Sequence, residues 1–295
     1  MRILRTISAA TTAAVAVLSL ATAAAAMSFG AWSPAVNAES IPGTSGSLNT
    51  AALEGCAFVA QRDDVLYFAS GRAGGAGGLD IWYSLRGDDG TWGNPINFTE
   101  VNSAADELCP TAHRNGKTFL FVSTRPGGYG GGDLYATRLH ATRGWASPLN
   151  LGGTVNSASG EAGPYLLETE LYFSSGRAGN DDIYVSAFDG TSFGAPVLAS
   201  GLNTGANDSR PNLRRDGLEI FFDSTRAGGI GGIDLWTSTR ASTSDPWSAP
   251  TNLGSSVNSS TNDLRASLSW DGATLYFGST RAGGEGSQDL YVTTR

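Results

Sequence analysis

A glycine-rich segment between an arginine and an aspartate is the first feature of this sequence whose residues could do chemistry. Residues 71–82 read GRAGGAGGLDIW, with Arg72 before the glycines and Asp80 after them. Glycine-rich loops can cradle phosphate groups, and glycine–aspartate repeats can bind calcium. A plain turn between two strands has the same composition, so the rest of the chain decides between these roles.

The segment recurs along the chain. Further copies read RPGGYGGGD from Arg125, RAGNDD from Arg177, RAGGIGGID from Arg226 and RAGGEGSQD from Arg281. Their aspartates are spaced by 53, 49, 52 and 55 residues. A period of about 50 residues indicates a propeller or another repeat array, whereas stacked calcium repeats have a period of about nine. The sequence has no G-x-x-x-x-G-K-[ST] motif, so a blade hairpin is favoured over a phosphate or calcium site.

Each unit also contains four strand-like runs in the same order. An aromatic run such as LYFAS precedes the arginine, and a run such as DIWYSL begins at the aspartate. An aromatic–proline run and an Asn-Ser or Asn-Thr turn follow, and an acidic residue then opens a last short run. Four short strands per unit and five units predict an all-β fold, a five-bladed β-propeller of four-stranded antiparallel blades.

The two ends of the repeat region complement each other. The last unit stops at DLYVTTR and lacks an aromatic–proline run, while Trp32-Ser33-Pro34 supplies one near the other end. We therefore predict that an N-terminal strand completes the last blade. Closing the ring in this way removes the exposed edge of an open sheet array.

The repeat resembles the PD40, or WD40-like, propeller repeat of the TolB family. The resemblance rests on an acid-x-x-Pro run, then LYFxS-x-R, the glycine-rich loop and D-[IL]-[WY], and it covers residues 27–295. It implies a non-catalytic propeller that binds a protein or acts as a scaffold in the cell envelope. Departures from the pattern are Ala57 and Ala266 in place of proline and the shortened third loop.

Residues 1–26 have the composition of a secretory signal peptide. Arg2 and Arg5 precede a short alanine-rich apolar run that ends in small residues, and we place the cleavage near Met27. The mature domain, 27–295, is then expected to be periplasmic or extracellular, monomeric and not inserted in a membrane. The net charge of −8 includes those two arginines, so the mature chain is more acidic still. Such a charge disfavours nucleic acid as a partner.

Three sets of repeated residues are expected on one face of the ring. The acids that open the inner strands are candidate ligand-binding residues at the channel mouth: Glu54, Glu107, Glu161, Asp208 and Asp263. The residues that flank each loop are candidate structural clamps: Arg72, Asp80, Arg125, Asp133, Arg177, Asp182, Arg226, Asp234, Arg281 and Asp289. A residue that recurs in every blade is typical of a structural role, whereas a residue that breaks the repeat is a better candidate for function.

The acids leave an enzymatic alternative open. Propeller glycosidases use two carboxylates, one as a general acid and one as a base or nucleophile. The sequence does not single out such a pair, so our first hypothesis is a non-catalytic module with no metal or cofactor. Its expected partner is an envelope or extracellular protein, and a carbohydrate-binding or carbohydrate-cleaving propeller is the alternative.

Two residues after each of these acids, the repeat position is variable. It is occupied by Cys56, Cys109, Gly163, Arg210 and Arg265. The two cysteines lie at equivalent places in adjacent blades, where a disulfide is within reach, and two buried thiols are the alternative. The two arginines are candidates for facing an anion in the channel, although pairing with neighbouring acids would also account for them.

Overall fold

The five units fold as five antiparallel blades of four strands, as predicted, and the second blade has one additional short strand. A computed structural model describes residues 29–60 and 62–295, and Ala31–Arg295 form one compact unit. The predicted signal peptide and its cleavage site lie outside the described residues. In the described part of the chain, the one helical element is a short 3₁₀ turn at Ala38–Ser40, and no helix is long and apolar enough to cross a membrane.

The blades follow one another along the chain, and one strand lies outside this order. That strand is β1 (Val36–Asn37). Blade 1 contains β2 (Glu54–Val59), β3 (Val65–Ser70), β4 (Asp80–Leu85) and β5 (Ile96–Asn97). Blade 2 contains β6 (Glu107–Ala112), β7 (Thr118–Ser123), β8 (Asp133–His140), β9 (Gly144–Trp145) and β10 (Leu149–Asn150).

The remaining blades repeat the same plan. Blade 3 contains β11 (Glu161–Leu167), β12 (Glu170–Ser175), β13 (Asp182–Ala187) and β14 (Val197–Leu198). Blade 4 contains β15 (Asp208–Leu213), β16 (Glu219–Ser224), β17 (Asp234–Thr239) and β18 (Thr251–Asn252). Blade 5 contains β19 (Asp263–Leu268), β20 (Thr274–Ser279) and β21 (Asp289–Thr294).

The ring is closed by β1, which confirms the predicted closure. β1 pairs with β21 in an antiparallel register that places Val36 opposite Val292. Before this strand, the Ser33 N–H donates to the Thr294 carbonyl over 2.7 Å, and the Trp32 ring packs edge-on against Phe221 of blade 4. Trp32 and Ser33 therefore lie just ahead of the strand and help to join blades 4 and 5.

The core lies between blades because both faces of each sheet are covered. The second strand of every blade carries an aromatic residue with no exposed surface at the same position: Phe68, Phe121, Phe173, Phe222 and Phe277. Strands that are buried on both faces lose the apolar–polar alternation of a half-exposed strand, which explains continuous apolar runs such as TFLFVS. Packing of one blade against the next is thus the main source of apolar burial. Each Å² of apolar surface buried in this way stabilises the fold by about 25 cal/mol.

Candidate functional site

The acid that opens each inner strand lies in a hydrogen-bond network inside its blade. Glu107 has no exposed surface. It accepts hydrogen bonds from the Ser103 N–H at 2.6 Å, the Ser103 hydroxyl at 2.7 Å and the Ser123 hydroxyl at 2.6 Å. Arg125 Nη2 completes the set at 3.0 Å. Both oxygens of this carboxylate are therefore bonded within the protein.

The same arrangement is present in every blade. Each inner-strand acid forms an ion pair with the loop arginine of its own blade: Glu54 with Arg72 (3.2 Å), Glu107 with Arg125 (3.0 Å), Glu161 with Arg177 (3.2 Å), Asp208 with Arg226 (2.6 Å) and Asp263 with Arg281 (2.6 Å). The structure thus places these acids within the blades and not along the channel cavity. Their role as channel-mouth ligands stays a prediction, and no contact among the described residues supports it.

Each loop arginine also joins two blades. The Arg125 guanidinium lies 5.4 Å from the ring centre of Phe121 and 4.9 Å from that of Tyr135, at cation–π distance. Its Nη2 donates over 2.7 Å to the Val101 carbonyl, in the connection that arrives from blade 1. The arginine thereby holds the incoming connection against its own blade.

The loop aspartates bond to the glycine-rich loops themselves. Asp133 accepts hydrogen bonds from the Tyr129 N–H at 2.6 Å and the Gly130 N–H at 3.3 Å. Asp80, Asp234 and Asp289 bond to the same two loop positions. In the short third loop, Asp182 instead accepts from the Asn180 side-chain amide at 3.2 Å. Arginine and aspartate thus hold the two ends of each loop through different partners.

The variable position of each inner strand is a β-bulge beside the channel. All five residues there have left-handed backbone: Cys56 (φ 50°), Cys109 (46°), Gly163 (57°), Arg210 (52°) and Arg265 (63°). The pairing with the second strand shifts register at each of these points. A bulge changes the direction in which its side chain points. The five residues at these bulges line a cavity of about 30 Å³ at the ring centre.

One side of this centre is closed by a disulfide. Cys56 and Cys109 are bonded to each other, and their Cα atoms lie 4.6 Å apart. The bond joins the inner strands of blades 1 and 2 across 53 residues of sequence.

The other side of the centre carries two arginines and a buried aspartate. Asp223, on the second strand of blade 4, accepts from Arg210 Nη1 at 2.8 Å and from the Arg265 main-chain N–H at 2.7 Å. Burial raises the pKa of Asp223, and the Arg210 guanidinium opposes this rise. Asp223 is not among the residues predicted from the sequence to form a site, although its run, IFFDS, is the one such run with a charged fourth residue.

Gly163 allows blades 3 and 4 to approach closely. A Cβ atom at this position would lie 2.5 Å from the Cα of Arg210. We expect Gly163→Ala to lower the free energy of unfolding by about 2–4 kcal/mol, because it adds a backbone clash to the cost of left-handed backbone. Urea unfolding would measure the change.

Gly116→Ala is the matched control for this substitution. Gly116 has a similar φ of 63° and no atom within 4 Å of the added Cβ, so a cost of only about 1–2 kcal/mol is expected. Equal losses in the two variants would contradict the close approach at Gly163.

No family model and no curated protein matches this chain. Among solved structures, TolB from Acinetobacter baumannii is 16% identical with a TM-score of 0.46, over 81% of this chain and 53% of that one. This chain thus spans about half the length of that TolB structure.

Two α-L-arabinofuranosidase structures align with this chain over a larger share of their own length than the TolB structure does. The enzyme from Podospora anserina is 10% identical with a TM-score of 0.54, over 90% of this chain and 96% of that one. The enzyme from Lactobacillus brevis is 12% identical with a TM-score of 0.52, over 88% and 94%. Identities this low show a shared fold, and folds of this kind host many functions.

Proposed function

We propose that this chain is an exported, non-catalytic β-propeller of the TolB type that binds a protein of the cell envelope. The proposal rests on the environment of the five repeated acids. All five are buried and ion-paired within their blades, so they serve blade structure and are poorly placed to meet a substrate. A protein partner would therefore contact residues that are exposed on the faces of the ring.

The face with the glycine-rich loops has an unbalanced charge. Its five arginines are paired with the five inner-strand acids, which leaves the five loop aspartates as further negative charges. Five more acids lie in connections on the same face: Glu39, Glu100, Asp106, Asp181 and Glu285. No ion pair to any of these ten acids occurs among the described residues. A negative face of this kind favours a partner with a basic surface.

Two apolar side chains stand at loop tips on this acidic face. Tyr129 in blade 2 is 54% exposed, and Ile230 occupies the same loop position in blade 4 with 44% exposed. Exposed aromatic and aliphatic side chains surrounded by charge are typical anchors in protein interfaces. We therefore assign the partner to the glycine-loop face.

Pull-down from envelope extract tests this assignment. We expect the mature protein to retain one stoichiometric basic partner, with binding that weakens as salt rises. A Tyr129→Ser/Ile230→Ser variant should retain at least about tenfold less, which corresponds to about 1.4 kcal/mol. Leu85→Ser is the control, because Leu85 is 50% exposed but lies at the opposite end of its blade. Equal losses in both variants would contradict the assigned face.

The glycosidase alternative has its own test. The mature protein would be incubated with a panel of polysaccharides and assayed for new reducing ends, and we expect none above background. Release of new reducing ends that disappears in a folded Glu107→Gln variant would overturn the non-catalytic assignment, because it would give a catalytic role to an acid that is bonded inside its blade.

A further inference from the structure

Positive charge exceeds negative charge at the centre of the ring. Two arginines, Arg210 and Arg265, line the cavity, and Asp223 is the carboxylate that both residues contact. Arg210 forms the ion pair, whereas Arg265 bonds to Asp223 only through its main-chain N–H. Among the described residues, the Arg265 guanidinium thus has no ion pair of its own, and the two arginines share the single charge of Asp223.

The side chain of Arg265 also lacks acceptors for its donors. Its Nε and Nη1 atoms are buried without a hydrogen-bond partner, and so is Nε of Arg210. Burying unpaired N–H groups of a charged side chain is costly, so native structures nearly always satisfy them. Three such donors, on two arginines that line the same cavity, point to a bound acceptor.

Neighbouring groups do not supply this acceptor. The Gln288 side chain lies close by, but its amide Nε2 is committed to the Glu54 carbonyl at 3.0 Å and is itself a donor. The disulfide sulfurs of Cys56 and Cys109, which also line the cavity, are weak acceptors.

We propose that the channel centre binds a small monovalent inorganic anion of halide size, held by Arg265 and Arg210. The cavity of about 30 Å³ exceeds the 10–15 Å³ or so that one water needs, so a single small ion fits in it. A single negative charge balances the one unpaired cation. The site shares no residue with the loop tips at Tyr129 and Ile230 and does not depend on the proposed partner.

Arg265 is a cation under the conditions in which the anion would bind. Burial, together with the positive charge of Arg210, lowers the pKa of Arg265 to about 9. The guanidinium is therefore still protonated at neutral pH, and an anion beside it would favour that charged form.

Bromide is the direct probe. Crystals of the mature protein grown in sodium bromide should show an anomalous scattering peak within hydrogen-bond distance of the Arg265 guanidinium. A peak found only elsewhere on the surface, or no peak at all, would overturn the proposal. This measurement uses the unmodified protein, so it does not depend on whether any variant folds.

Thermal unfolding supplies the second measurement. In chloride, the midpoint should lie about 2–4 °C above that in gluconate at equal ionic strength, because a ligand of the native state stabilises it. Arg265→Met should abolish the difference. Arg215→Met is the control: Arg215 packs 5.6 Å from the ring centre of Trp270 at the other mouth of the channel, and its loss should leave the chloride effect unchanged. A chloride effect that persists in Arg265→Met would contradict the site.

Discussion

Replacement of Arg226 by methionine is expected to lower the free energy of unfolding by about 3–5 kcal/mol. Its Nη2 lies 2.6 Å from Asp208, a carboxylate with no exposed surface. Methionine keeps the aliphatic contact with the flanking rings of Phe222 and Trp236 but leaves the buried carboxylate without a counter-charge. Guanidinium chloride unfolding followed by tryptophan fluorescence would measure the loss.

An exposed ion pair provides the comparison for Arg226→Met. Arg114 pairs with Glu168, and the two side chains are 43% and 51% exposed. Solvent screens such a pair, so Arg114→Met should cost less than about 1 kcal/mol. Unfolding of both variants at the same denaturant concentration would show that the buried pair stabilises the protein no more than the exposed pair does.

Loss of the disulfide is expected to have a similarly large effect. Cys56 and Cys109 are 53 residues apart, and in the chain-entropy account a loop of that length is worth about 4 kcal/mol. A double Cys→Gly variant suits the measurement, because glycine accepts the left-handed backbone and blade 3 has glycine at this position. Calorimetry should show a lower midpoint than in the oxidised parent protein.

Chemical reduction separates the bond from the substitution. The reduced parent protein and the double glycine variant should melt at similar temperatures, and added reductant should not change the variant. A variant as stable as the oxidised protein would contradict a stabilising role for the bond.

The blades could be predicted because each is encoded by local sequence. Runs such as LYFAS and DIWYSL, with a glycine-rich hairpin between them, specify neighbouring strands without knowledge of the rest of the chain. Ring closure was also predictable, because the last unit lacks an outer strand and the Trp32 segment supplies one.

The bonding of the site residues was beyond the sequence pattern. Arg125 bonds to Glu107, 18 residues earlier, and to Val101, 24 residues earlier, and both contacts depend on how the chain passes between blades. The contact between Asp223 and Arg265 spans 42 residues and two blades. In the sequence, Asp223 is only an unusual residue in a buried strand, and its partners appear when the ring is assembled.

Ring closure by β1 also sets an order of events during synthesis of the chain. Ser33 and Thr293, which bond where the ring closes, are separated by 260 residues, so β1 is synthesised long before its partner strand, β21. Until β21 is available, blade 5 cannot be completed and the growing array keeps open strand edges. Contacts so distant in sequence make folding slow, and the unsealed chain is the form most exposed to aggregation or to capture by chaperones.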